Sequence, residues 1–572
     1  MERSLMLKMK WKLFTLILLL LGINLSSGQF IDYNHPELRW KTFETEHFVV
    51  HFHQGTQRTA LLVGKIAEEI YPHVTGLYNY RPKEKIHFII KDTDDYSNGG
   101  AFFFDNKIEI WASNLDYIMR GTKNWLRDVV THEFTHMISI QKMIKTNLLF
   151  PYGFFQVFGY EKERRKDVVR GFPNVLVSYP LSSINLPVWF AEGTAQHQAP
   201  GARYDYRDPN REMIIRDRIL HEQLLTYNSM TVFGKSSHGN ESAYNLGFSF
   251  VNYLARRFGE HILEKIAWNS SRWKHWTFEG ALKEATGLPA KQLYKDWKDS
   301  LTTTYLQRTE VIRQNEVKGQ ALEVKGSANL YPIFSPDGQW IAYVSNAGED
   351  YFSLNRLVLY NRKSKEKKTI SQNISSSLSW SPDGRYLIYA RQKRNSHGSA
   401  FNDLFVYDVQ AEKEIRLTKN LRGRNPDFSH DGKKVVFVTE TNGLNQLNIY
   451  WLPQNFDQKI NCVVWFSMET GELNVLPKDD GNDWRKVEYR GGKIEQLLRF
   501  ENERQIYHPR WMPGDQTIIF DTAIEYGRDI ARYEVESKKM EFILNSRVEE
   551  RYPFVSPDGQ FLYYAASPTG IY

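Results

Sequence analysis

Residues 46–53 alternate apolar and polar positions as a strand does, and residues 57–80 then take up the apolar period of an amphipathic helix. Residues 86–90 and 107–111 predict two more strands, with the turn-rich run Asp94-Asp95-Tyr96-Ser97-Asn98-Gly99-Gly100 between them. After that the pattern is helical, over residues 125–143, 187–198, 242–258 and 292–307. Ser242 is read as the cap of the third of these helices and Gly259 as its end. Near residue 315 the grammar changes to short strands separated by turns.

That second half repeats. Ser335-Pro336-Asp337-Gly338, Ser381-Pro382-Asp383-Gly384 and Ser556-Pro557-Asp558-Gly559 each follow one apolar strand and precede another. A copy with His430 in place of proline and a copy reading Pro513-Gly514-Asp515 bring the number to five. The residue before each turn is 334, 380, 428, 511 or 555, so the steps are 46, 48, 83 and 44. A period in the forties is one four-stranded propeller blade, and the long step implies an insertion around residues 454–493 or a degenerate blade. The turn chemistry is plain, because Pro fixes φ and Gly accepts a positive one. These repeats resemble TolB-like propeller repeats, which implies partner binding or gating of a neighbouring domain and no chemistry of their own.

At 572 residues the chain is too long for one hydrophobic core, and its balance of 41% hydrophobic to 25% charged residues is that of a globular protein. A basic start through Lys12, the apolar run 13–25 and the small residues Ser26-Ser27-Gly28 predict a signal peptide over residues 1–28, too short in its apolar part to span a bilayer. The expectation is an exported protein in the periplasm or on the outer surface of a bacterium, with no integral span after signal removal. Cys462 is the only cysteine, so no intramolecular disulfide is available. The net charge of +7 owes part to the first dozen residues, and no basic block argues for nucleic acid.

His132-Glu133-Phe134-Thr135-His136 carries the candidate chemistry. Residues i and i+4 share a helix face, so both imidazoles reach one ion, and Glu133 can address a water on it as general base. The other reading of this motif alone is a pair of satisfied core histidines. A catalytic zinc needs a third ligand. Glu192 lies in Pro187-Val188-Trp189-Phe190-Ala191-Glu192-Gly193, an apolar setting where a lone carboxylate is costly unless paired or metal-bound. A glutamate facing water in a first helical turn is the alternative.

Together the two motifs resemble the gluzincin metallopeptidases, in particular the peptidase MA-like domains found upstream of TolB-like propellers. By that resemblance His132, His136 and Glu192 are ligands of one Zn2+ per chain and Glu133 is the base. Tyr244, in Tyr244-Asn245-Leu246-Gly247, resembles the tyrosine with which aminopeptidase-like gluzincins hold an oxyanion, a packed helix tyrosine being the other reading. Residues 99–104 lack the carboxylate with which those aminopeptidases hold a free amine, which favours an endopeptidase. The 56 residues from His136 to Glu192 include the aromatic run 148–155, read as plain packing in preference to a lid or a membrane-touching loop.

The expected architecture is therefore an α+β zincin-like metallopeptidase domain over residues 29–310 and an all-β TolB-like propeller over 311–572, a partial ring in the chain as it stands. The expected function is peptide-bond hydrolysis by a Glu-activated zinc-bound water, on a peptide or protein substrate, with a possible protein partner at the propeller. The alternative is a non-catalytic, propeller-based binding protein with a vestigial metal site.

Overall fold

The computed structural model describes residues 35–146, 154–160, 175–180, 183, 185–204, 208–456, 462–468, 471–473, 484–546 and 548–566. The signal peptide, most of the aromatic run 148–155 and residues 567–572, on which ring closure turns, lie outside the described residues. Phe154–Gly159 and Val175–Pro180 form an antiparallel hairpin that belongs to a unit of its own.

The first half is built on a mixed sheet. Its strands are β1 (Trp40–Glu44), β2 (Phe48–His53), β3 (Ile86–Lys91), β4 (Gly99–Phe102) and β5 (Lys107–Trp111), in the order β1-β2-β3-β5-β4. β2, β3 and β5 run parallel, while β1 and β4 are antiparallel edge strands. Helix α1 (Gln57–Tyr78) connects β2 to β3 and buries Ala60, Val63, Ile66, Ala67, Ile70 and Val74. That spacing is the helical period, and burying one apolar stripe against the sheet is what stabilises the helix. Asn79, at φ 45°, ends it in the left-handed region.

Helix α2 (Trp125–Lys142) packs against α1 and β4, and α3 (Val188–His197) packs against α2. Next come α4 (Pro209–Leu220), α5 (Ser237–Phe258), α6 (His261–Ser271), α7 (Phe278–Thr286) and α8 (Ala290–Arg308). The cap of α5 is Ser236, whose hydroxyl accepts the Gly239 N–H; Ser242 sits inside the helix and donates to the His238 carbonyl instead. Gly259 ends α5 as its sequence predicts.

From residue 329 the chain forms four-stranded antiparallel sheets. In the first, Asn329–Phe334 is followed by Trp340–Ser345, Arg356–Asn361 and Lys367–Gln372. Two sheets span residues 379–416 and 505–544, and Glu550–Val555 and Leu562–Ala566 begin another. The long step in the repeat is an insertion. Cys462–Ser467 and Trp484–Tyr489 pair with Thr418–Lys419 as a separate three-stranded sheet, and Lys493–Arg499 returns to complete the blade of Leu444–Trp451.

The repeated turn is locked by its serine. The Ser335 hydroxyl donates to Asp337 Oδ1 (2.5 Å) and accepts the Trp340 N–H (2.9 Å), and Gly338 takes φ +66°. Proline plays no part in the lock, so the His430 copy keeps it through Ser429 and Asp431. The amide that proline lacks then finds a use: His430 N–H donates to Asp515 Oδ1 at 2.8 Å. Asp515 belongs to the other altered turn, so the two departures from the repeat bond to each other.

The helical half closes the face of the propeller opposite these turns. The loops joining second to third blade strands make the contacts. Asp95 N–H donates to the Ala400 carbonyl, Thr59 bonds Asn442, Ser237 bonds residues 350 and 352, and Gly527 N–H donates to the Thr122 carbonyl. Buried ions lie across the seam. The Arg422 guanidinium, 1% exposed, grips both oxygens of Asp92 at 2.8 and 2.9 Å and also pairs with Asp95. Arg528 donates to Asp116 Oδ1 at 2.7 Å and to Asp521 Oδ2 at 2.8 Å. Charges this deep need such partners, because desolvation is otherwise uncompensated.

Candidate metal centre

Helix α2 presents the two histidines. Asn124 caps it, accepting the Arg127 N–H at 3.1 Å, and Val130, Phe134, Met137 and Ile138 are fully buried. His132 and His136 point from the same side toward α3, where Trp189 and Phe190 are fully buried and Glu192 faces them. The Nε2 atoms of the histidines are 3.1 Å apart, and Glu192 Oε2 lies 3.2 Å from one and 3.4 Å from the other. Donor atoms about 2.0–2.1 Å from a tetrahedral ion stand about 3.3 Å from one another. By distance the three fit one ion, and they are the group of His, Cys, Asp and Glu able to do so among the described residues.

The surroundings of the imidazoles fit less well. A metal-bound histidine usually donates its other N–H to a carboxylate or carbonyl, which fixes the tautomer. Here His132 Nδ1 lies 3.1 Å from Gln196 Nε2, and the Gln196 carbonyl oxygen is already taken by Arg211. Gln196 thus links Arg211 to His132 Nδ1, in the place where a metal-bound histidine usually has a carboxylate or carbonyl. His136 Nδ1 is buried and bonds no group among the described residues. The triad closes on itself as a hydrogen-bonded cluster. Burial alone would raise the Glu192 carboxyl, but the charge of His136 and the hydrogen bonds from both histidines hold it far below the usual carboxylate range. His136 is raised in turn, since Glu192 outweighs the burial that would lower it.

Glu133 packs under β4. A Cβ on Gly99 would stand 2.7 Å from Glu133 Oε1, so glycine is what allows this approach, and the carboxylate accepts the Ala101 N–H. Burial raises its pKa, Glu192 adds to the rise, and the two histidines oppose it. Tyr244, on α5, comes to the same place: its ring centroid is 6.1 Å from that of His132 and 4.8 Å from the Arg120 guanidinium. Burial, with Glu192 and Glu133 adding, pushes its phenol well above the ordinary range. Arg120 is itself paired with Glu241 at 2.9 Å.

All five residues singled out by the sequence thus meet in one place. Four more were given no role from the sequence: Gln196, Arg211 and the glycine pair Gly193 and Gly247, which lets α3 and α5 touch. Gln196 lies four residues after Glu192 on α3 and so on its face, a legible signal; nothing in the sequence marks Arg211.

No family model matches this chain. It is similar to the Tol-Pal system protein TolB of Francisella tularensis subsp. mediasiatica, 25% identical over 302 residues, 47% of this chain and 65% of that one. TolB of F. tularensis subsp. tularensis is 25% identical over 260 residues, 41% of this chain and 55% of that one. The chain thus spans little more than half to just under two thirds of these curated relatives. Dipeptidyl-peptidase 5 of Porphyromonas gingivalis is 23% identical over 144 residues, 22% of this chain and 21% of that one. Among solved structures, TolB from Acinetobacter baumannii is 17% identical, covering 41% of this chain and 48% of that one at a TM-score of 0.29. The β-propeller domain of the Trilobed protease from Pyrococcus furiosus is 18% identical, covering 42% and 78% at a TM-score of 0.25.

The sequence likeness to TolB bears out the TolB-like, propeller-rich half. It corrects the expectation of zinc-dependent peptide hydrolysis. The curated relatives matched here over two fifths or more of the chain are Tol-Pal system proteins, so the hydrolytic roles of Glu133 and Tyr244 are set aside in favour of the binding reading. No helix among the described residues is long and apolar enough to cross a membrane.

Proposed function

We propose that this chain is an exported, non-catalytic binding protein that takes a protein partner on the face of the propeller formed by its Ser-Pro-Asp-Gly turns. The observation that carries the reading is the closure of the opposite face. Residues 59, 95, 122 and 237 of the helical half bond the loops there, with Arg422 and Arg528 buried in the seam. A partner then has the turn face and the outer blade edges to use. The likeness to Tol-Pal TolB makes a component of a Tol-Pal system the partner class to test first. In this reading the chain is periplasmic and the helical half is a fixed cap on the propeller.

The cap retains a vestigial site for one Zn2+, held by His132, His136 and Glu192. When bound, zinc would supply a cross-link between α2 and α3. His132 Nδ1 then faces the Gln196 amide that Arg211 holds, in place of a carboxylate.

Lysine cross-linking in intact cells tests the binding surface. Lys363 and Lys433 are exposed beside the turns, whereas Lys65 is exposed on α1. Partner cross-links are expected at Lys363 and Lys433. Cross-links confined to Lys65 and its neighbours on the helical half would overturn the assignment.

A further inference from the structure

Three tryptophans of the helical half stand in solvent. Trp268, on α6, is 51% exposed, and Trp273 and Trp276, in the turn before α7, are 53% and 69% exposed. Apolar surface left in water at this density marks a contact surface. The rings are not loose. Trp273 and Trp276 lie 5.8 Å apart, and Lys145 sits against both, 5.7 and 5.2 Å from their centroids. The Lys145 ammonium also donates to the carbonyls of Arg272 (3.1 Å) and His275, which fastens the turn that carries them. Lys142, one helical turn earlier at the end of α2, lies 5.1 Å from the Trp268 ring.

We propose that this patch docks on the surface of an anionic lipid bilayer, with the indoles at the boundary between headgroups and acyl chains. Indoles favour that boundary because one edge is polar and the body is apolar. Charge complementarity selects the membrane. Lys142, Lys145, Arg272 and Lys274 ring the patch, against the carboxylates Glu264 and Glu284 that pair within it, so cations are in excess. Cations at the surface of an anionic leaflet add to the burial of the rings. The ring geometry speaks against a stacked sugar: Trp273 and Trp276 are inclined at 59° and offer no common flat platform. Docking here is peripheral and independent of the partner face of the propeller.

Co-sedimentation of the full chain with vesicles tests this. Wild-type protein is expected to pellet with phosphatidylglycerol/phosphatidylethanolamine vesicles, to bind phosphatidylcholine vesicles more weakly, and to be released by salt. The Trp273→Ala/Trp276→Ala variant should bind the anionic vesicles at least about tenfold more weakly, since two partly exposed rings are lost. Trp276→Ala alone, at the most exposed of the three positions, is expected to show an intermediate loss with an unchanged melting temperature. Wild-type protein that stays in the supernatant with anionic vesicles would overturn the proposal. So would a double variant that binds like wild type, or retention on an insoluble polysaccharide without vesicle binding.

Discussion

Gly193 on α3 and Gly247 on α5 meet backbone to backbone: a Cβ on Gly193 would stand 2.4 Å from the Gly247 carbonyl oxygen. A Cβ on Gly247 would stand 2.3 Å from the Trp189 carbonyl oxygen. Both distances are far inside van der Waals contact with backbone that has no rotamer to give way. This crossing sets Glu192, the neighbour of Gly193, beside the helix that carries Tyr244. Gly193→Ala or Gly247→Ala should force the helices apart and cost about 1–3 kcal/mol. Urea unfolding checks the direction, and a neutral result would show that the helices already have room.

Gln196 joins Arg211 to His132 Nδ1. Glutamate at that position accepts from both Arg211 and His132 Nδ1, which frees Nε2 for a ligand. Gln196→Glu is therefore expected to raise zinc affinity by about 10–100-fold, the scale of outer-sphere effects on bound metals. Calorimetric titration of both proteins with Zn2+ gives the comparison. Equal or weaker binding by the variant would show that the partner of His132 Nδ1 does not tune the site.

The seam between propeller and helical half makes its own prediction. Arg422→Ala leaves Asp92 and Asp95 buried without their cation and is expected to cost about 3–5 kcal/mol. Limited proteolysis should then release the two halves at denaturant concentrations where the wild type stays intact. Simultaneous release of wild type and variant would mean that the ions contribute nothing to holding the seam.

Acid should weaken the same seam. Burial alone would raise the Asp116 carboxyl, but the charges of Arg528, His508 and Arg551 outweigh it and hold the group below its ordinary range. A carboxyl lowered in the folded state contributes stability above its unfolded pKa of about 3.9 and loses it as pH falls through the folded value. Asp116→Asn should accordingly be less stable than wild type at neutral pH, with the difference shrinking below about pH 4. A difference that widens in acid would have the wrong sign for this account.

Local patterns carried much of the fold. The periods of α1 and α2, the alternation of β2 and the mid-forties repeat were all legible, because each depends on neighbours within a few residues. Strand β4 was not: Gly99-Gly100-Ala101 reads as a turn, and only its pairing with β5 makes it an edge strand. The start of α5 was placed late because Ser237-His238-Gly239-Asn240 has no apolar period. The meeting of His132, His136 and Glu192 was visible from spacing and setting. The link from Arg211 through Gln196 to His132 was not, since nothing in the sequence marks Arg211. The seam was equally hidden, as Asp92 and Arg422 are 330 residues apart. His430 and Asp515, which the sequence shows only as departures from the repeated turn, are a bonded pair.

The central claim, binding without catalysis, is tested most directly at Glu133. The Glu133→Gln variant keeps the side-chain volume and removes the carboxylate that the sequence marks as a general base beside His132 and His136. A strain whose genomic copy carries Glu133→Gln should match the wild type in envelope integrity, measured as detergent sensitivity against a deletion strain. A deletion phenotype from Glu133→Gln, with the protein folded and present at normal level, would contradict the account.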